Sequence, residues 1–222
     1  MTHFHLQVIQ ICKRIAFIFA IISFSLCPSY STKFGHIDNS SIAIDYSKID
    51  KDIVLKNADE SFAMAMVETD IERQKAYVLN AKAQYNIVAL ADKKNLHAVT
   101  MLARLYDFSG EDRYAKAYFS QGIGINYKDP LLNYYFGDFY YRRNNYKQAL
   151  KYYKKAFEFG LNENSKNLEK MAVIYEKFGD LQKASIYYKK MFLKNPSSEE
   201  IPDKIREIES IKYQNTNYYK GQ

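Results

Sequence analysis

The chain has no tryptophan, only 2 cysteines, 4 prolines and 8 glycines in 222 residues. So small a supply of Gly and Pro argues against a sandwich of short strands, whose tight turns need both. Cys12 and Cys27 both lie near the amino terminus, so the rest of the chain has no disulfide and no cysteine ligand for a metal. Long apolar runs are scarce too. The one uncharged stretch, residues 15–27 (IAFIFAIISFSLC), falls short of the roughly 17 to 25 apolar residues that a comfortable membrane span needs. Motifs for catalysis are missing as well. There is no H-E-x-x-H, no paired C-x-x-C, no G-x-S-x-G and no phosphate loop, and His36 and His97 have no partner set. The single G-x-G, at Gly122 and Gly124, ends a helical stretch with no strand before it, which speaks against dinucleotide binding. These absences point away from an enzyme, and they imply no cofactor.

What is abundant is material for a helical core: 21 Tyr, 14 Phe and a hydrophobic content of 47%. The amino terminus stands apart. Lys13 and Arg14 precede the uncharged run, and small residues follow at Ser29 and Ser31, which is the layout of a secretory signal over residues 1–31. Its rivals are an uncleaved membrane anchor and a lipid on Cys27, although Leu26 occupies the place where a lipobox has a small residue. Loss of the signal would remove Lys13 and Arg14 and lower the formal net charge of +7 by two. With acidic residues interspersed, that excess does not indicate nucleic acid. Residues 32–56 show no sustained period and read as a linker.

Self-similarity organises the remainder. Leu96, Pro130 and Ser165 open segments spaced by 34 and 35 residues that align without gaps through their key positions. Leu102-Ala103, Phe136-Gly137 and Met171-Ala172 coincide, followed by Tyr106, Tyr140 and Tyr175. Further on, Ala115, Ala149 and Ala184 coincide, and then Phe119, Tyr153 and Tyr188. Small residues allow two antiparallel helices to approach, and aromatics fill the space beside the contact. Asp129 before Pro130 suits a helix start. Gly110, Asn144-Asn145 and Gly179 suit the turn between the two helices. A weaker copy precedes these: stepping back from Leu96 reaches Phe62 and places Ala81, Tyr85 and Val88 on second-helix positions. Its first helix is poor, with Glu68, Thr69 and Glu72 at the key places. Ile201, Ile205, Ile208 and Ile211 form a one-sided stripe, as in an amphipathic end cap.

This pattern resembles the tetratricopeptide repeat family. The resemblance implies an all-α, right-handed superhelical array of antiparallel helix pairs. It divides the chain into a degenerate cap at 57–95, repeats at 96–129, 130–164 and 165–198, a capping helix at 199–212 and a fraying tail at 213–222. It also implies protein binding in a concave groove lined by the first helix of each pair. The positions that should face the groove hold His97, Thr100, Arg104, Asp107, Leu131, Tyr134, Asp138, Tyr141, Arg142, Lys166, Glu169 and Val173. From these, with Lys170 added, Arg104, Tyr134, Asp138, Tyr141, Arg142, Lys166 and Lys170 are the candidate contacts to a peptide or helix of a partner protein. Some family members clamp a terminal carboxylate. Lys166 and Lys170 fit part of that clamp, while Thr100, Arg104 and Tyr135 depart from it. Exported bacterial members often support assembly of envelope machines, so the resemblance also suggests an adaptor in the periplasm or outside the cell; a membrane-held tether and a secreted effector that binds host proteins are the alternatives. Membrane contact is expected only through the amino-terminal segment. The recurring lysine doublets Lys154-Lys155 and Lys189-Lys190 read as a solvated outer face, with attraction to an anionic polymer or membrane as the second reading.

Overall fold

The computed structural model describes residues 48–198 and 200–220. The expected signal, both cysteines, His36 and most of the linker lie outside the described residues, so the choice between signal and anchor is not addressed by the fold. No described helix is long and apolar enough to cross a membrane. The described chain forms helices only: α1 Lys51–Val67, α2 Ile71–Ala91, α3 Leu96–Phe108, α4 Asp112–Ile125, α5 Pro130–Arg142, α6 Tyr146–Ala156, α7 Ser165–Lys177, α8 Leu181–Lys194 and α9 Glu200–Lys220. Consecutive helices pair as antiparallel hairpins. The hairpins stack so that each core cluster is shared between neighbours, as where Ala103, Phe119 and Phe136 of α3, α4 and α5 meet.

Local chemistry sets the boundaries. Asp50, Asp70, Asn95, Asp129, Asn145, Asn164 and Asp180 each cap a helix with a side-chain oxygen that accepts from the first turn. Between the helices of a pair, Gly110, Asn144 and Gly179 adopt positive φ. In all three turns the next amide donates back to the same tyrosine carbonyl: Glu111 to Tyr106, Asn145 to Tyr140 and Asp180 to Tyr175. This six-to-one bond closes the first helix, and Asn144 serves in place of Gly because asparagine adopts the left-handed conformation at low cost. Those three tyrosines also carry the pairing of the helices. Tyr106 stacks on Tyr118 at 5.3 Å, Tyr140 on Tyr152 at 5.7 Å and Tyr175 on Tyr187 at 5.6 Å, each within 8° of parallel.

The step of 35 residues after Pro130 has a structural seat. α6 is followed by the segment Phe157–Leu161, whose helical course breaks at Gly160, where φ is 134°. The extra residue of this repeat is taken up at that break, between α6 and α7, and Ala184 and Tyr188 stay buried in the next pair.

Three expectations need correction. The linker does not reach residue 56: Asp50 caps a helix from Lys51, because its carboxylate accepts from Asp52 and Ile53. The degenerate pair has a different register. Its turn sits at Glu68–Asp70, where the repeat spacing calls for key first-helix residues, because α2 is 21 residues long against 14 in α4. Ala81, Tyr85 and Val88 are nevertheless fully buried. Finally, α9 continues to Lys220 through the stretch expected to fray. No Gly or Pro interrupts residues 203–220.

Candidate functional site: the groove along α1, α3, α5 and α7

The first helices of successive pairs bring a strip of polar and aromatic side chains together. At its amino-terminal end is a cleft of about 260 Å³ lined by Phe62 and Met66 of α1, Arg104, Asp107 and Phe108 of α3, and Tyr135, Asp138 and Arg142 of α5. Three of the candidate contacts, Arg104, Asp138 and Arg142, therefore share one cleft. Tyr134, Tyr141 and Lys170 lie further along. Tyr134 packs at 5.7 Å from Tyr153, and the Lys170 ammonium sits 4.4 Å from the Tyr141 ring. Lys166 is exposed at the start of α7.

Arg104 is half-buried, with its guanidinium carbon 4.0 Å from the ring centre of Tyr135 and 4.6 Å from that of Phe62. Asp138 accepts a 2.6 Å hydrogen bond from the Tyr153 hydroxyl. Burial pushes the Asp138 carboxyl above its ordinary value, opposed by that hydrogen bond and by the charges of Lys170, Arg104 and Lys166. The same arrangement raises Tyr153, first through burial and then through the Asp138 charge. Gly137 explains why Tyr153 can reach this point: a Cβ on Gly137 would lie 2.7 Å from the Tyr153 ring. The small residue that brings α5 and α6 together thus also places the hydroxyl that satisfies a groove carboxylate.

Arg142 and Asp107 behave differently from the sequence expectation. Asp107 is not a surface contact: its side chain is 1% exposed and pairs with both Arg142 and Arg143. Arg143 also binds Asp112, donates at 2.7 Å to the Phe139 carbonyl, and lies over the Phe139 ring. One buried carboxylate therefore ties α3 to the end of α5, and Arg142 reaches the cleft with part of its valence already used. Thr100 is 5% exposed and is likewise excluded from a binding face. His97 is held at 2.7 Å by Asp59 of α1, which also accepts from the Tyr85 hydroxyl. Leu131 and Glu169 are exposed, and Val173 is half-buried.

Phe62, Met66, Phe108 and Tyr135 escaped the sequence reading as site residues. Phe62 and Met66 belong to the helix whose register the repeat spacing misplaces, and Phe108 ends its helix. Tyr135 entered only as a departure from the family clamp. Asn133 and Asn167, both fully buried, were missed as well. Each donates its side-chain amide to the carbonyl six residues earlier, Tyr127 for one and Leu161 for the other, and so pins the loop that leads into the next first helix.

Comparison with known proteins agrees with this architecture. A tetratricopeptide repeat family model matches residues 132–159. No curated protein matches the chain in sequence. Among solved structures, MamA is similar at TM-score 0.54 and 19% identity, over 73% of this chain and 90% of its own. PilF of Pseudomonas aeruginosa is similar at TM-score 0.57 and 15% identity, over 76% and 72%. YrrB, described as a TPR protein with an unusual peptide-binding site, is similar at TM-score 0.56 and 15% identity, over 78% and 86%. Fold and groove together define the class, an α-solenoid of stacked helix hairpins. Its fold is similar to that of the TPR protein YrrB, and residues 132–159 carry the match to the tetratricopeptide repeat model.

Proposed function

We propose that the protein is a non-catalytic adaptor or assembly factor that holds a peptide or helix of a partner protein along α1, α3, α5 and α7. The observation that carries this reading is the convergence of Arg104, Asp138 and Arg142 in one partly apolar cleft, continued by Tyr134, Tyr141, Lys166 and Lys170. Aromatic and arginine anchors beside apolar spots are the composition of binding hot spots. The signal-like start favours work in the envelope or outside the cell. PilW, a type IV pilus biogenesis factor of similar fold at 20% identity and TM-score 0.55, supports the envelope setting by analogy. The chain spans 62% of that protein.

Affinity capture from the native host, with Tyr134→Ala and Lys170→Ala combined as the control, tests the reading. Arg142 is left intact because its tie to buried Asp107 would confound binding with stability. The expected result is one dominant partner lost in the double variant, with a mature amino terminus near Thr32. Capture unchanged in a folded double variant contradicts the groove, and retention of residues 1–31 favours a membrane-held tether.

A further inference from the structure

Arg104 has built surroundings but an open hydrogen-bonding capacity. The other two arginines of this region show the contrast, since Arg142 and Arg143 are both bound to Asp107. Arg104 forms no ion pair among the described residues, and its hydrogen bond there goes to the sulfur of Met101, a weak acceptor 3.4 Å from Nη1. Asp138 is within electrostatic reach, but its Oδ1 is taken by Tyr153. A guanidinium carries five N–H donors in a planar fork suited to a carboxylate. Here two rings, one from the amino-terminal hairpin and one from α5, restrict that fork before any ligand arrives. Beside it, Phe62, Met66 and Phe108 form an apolar wall, with Met66 39% and Phe108 47% exposed.

We infer that Arg104 is an anion-recognition point in the groove, taking the side-chain carboxylate of an acidic residue in a partner peptide while an adjacent apolar side chain packs on Phe62, Met66 and Phe108. The inference rests on the groove reading and adds the chemistry of its occupant. It also gives the amino-terminal hairpin a part in binding, because without α1 the cleft loses one ring from Arg104 and most of its apolar wall. A terminal-carboxylate clamp is a different arrangement: of its positions, Thr100 is buried, Tyr135 is stacked, and Arg104 stands where the clamp has an asparagine.

The test titrates the full chain with three short peptides while the arginine Nε–Hε resonances are followed by NMR. The first is acetyl-Gly-Leu-Glu-Leu-Gly-amide, the second its Gln counterpart, and the third the Gln peptide with a free terminal carboxylate. The expected result is that the Glu peptide binds at least ~10-fold more tightly than the capped Gln peptide and moves the Arg104 resonance. That preference should vanish in Arg104→Gln and shrink in Arg104→Lys, which keeps the charge but loses the fork. Equal binding of Glu and Gln peptides, binding of none of the three, or a Glu preference that survives Arg104→Gln overturns the inference. So does a free-acid Gln peptide that matches the Glu peptide, since the terminal carboxylate would then be the ligand. None of these outcomes touches the groove reading, which stands or falls with the loss of captured partner on changing Tyr134 and Lys170.

Discussion

The α5–α6 hairpin and the amino-terminal α1–α2 hairpin solve the same packing problem with different residues. In α5–α6 the helices close at Gly137 against the fully buried Tyr153 ring, and Phe136, Phe139 and Tyr152 fill the flanks. In α1–α2 the close approach is made by fully buried alanines, Ala58, Ala65 and Ala81. Polar bonds supplement it: Asn80 to Ser61 at 3.0 Å, and the Tyr85 hydroxyl to Asp59. A glycine contact leaves no slack, whereas the hydrogen bond to Asp59, a side chain 48% exposed, can be replaced by water. The two hairpins therefore differ in how sharply they resist substitution. They also differ in position, since among the described residues the α1–α2 pair packs against one neighbouring hairpin and α5–α6 against two.

Gly137→Leu breaks this comparison most severely. It overpacks the contact with Tyr153 and should cost roughly 3 kcal/mol or more, read as a lower urea midpoint, whereas Ala58→Gly in the other hairpin should cost about 1 kcal/mol. Tyr153→Phe comes next. It leaves Asp138 without its donor in a poorly hydrated place, at an expected cost of about 1–3 kcal/mol by the same measurement. Tyr85→Phe is the matched change in the amino-terminal hairpin. It should cost only about 0.5–1.5 kcal/mol, because water can reach Asp59. Equal losses from the two tyrosines would erase the distinction between the hairpins.

The smallest effect expected is a dependence on pH. The Asp138 carboxyl is raised by burial, among Tyr153, Tyr134, Lys170, Arg104 and Lys166. The folded state therefore keeps the proton to higher pH than the unfolded chain does. Its contribution to stability is complete below the ordinary carboxylate value and is lost as pH rises through the raised one. Asp138→Asn cannot ionise, and its Oδ1 can still accept from Tyr153. Its melting temperature should accordingly improve relative to the parent chain as pH rises past the ordinary carboxylate value. A difference that stays constant or falls with pH contradicts the assignment.

The same contrast explains what was legible in the sequence. Gly137, the three in-phase alanines and the tyrosines before Gly110, Asn144 and Gly179 act through spacing and size, and spacing survives in a linear text. The position of α1 does not. Its alanine contacts carry no distinctive pattern, and the greater length of α2 displaces the turn, so a register stepped back from Leu96 finds the second helix and misses the first. For the groove, the family resemblance indicated which side of each first helix should face it, and hence Arg104, Asp138 and Arg142. It could not distinguish the exposed Arg142 from buried Asp107, which is its partner. Nor could it bring Phe62 and Met66 to Arg104, a meeting that depends on how one hairpin stacks on the next.

The most direct test of a groove completed by the amino-terminal hairpin is site-specific photocrosslinking in the native host. A photoreactive phenylalanine analogue is placed at Met66, on the cleft wall, and separately at Lys151 on the surface of α6. A single protein adduct from Met66, absent from Lys151, is the expected result. Adducts of equal yield from both positions, or from Lys151 alone, would contradict it and move binding to the lysine-bearing face of α6.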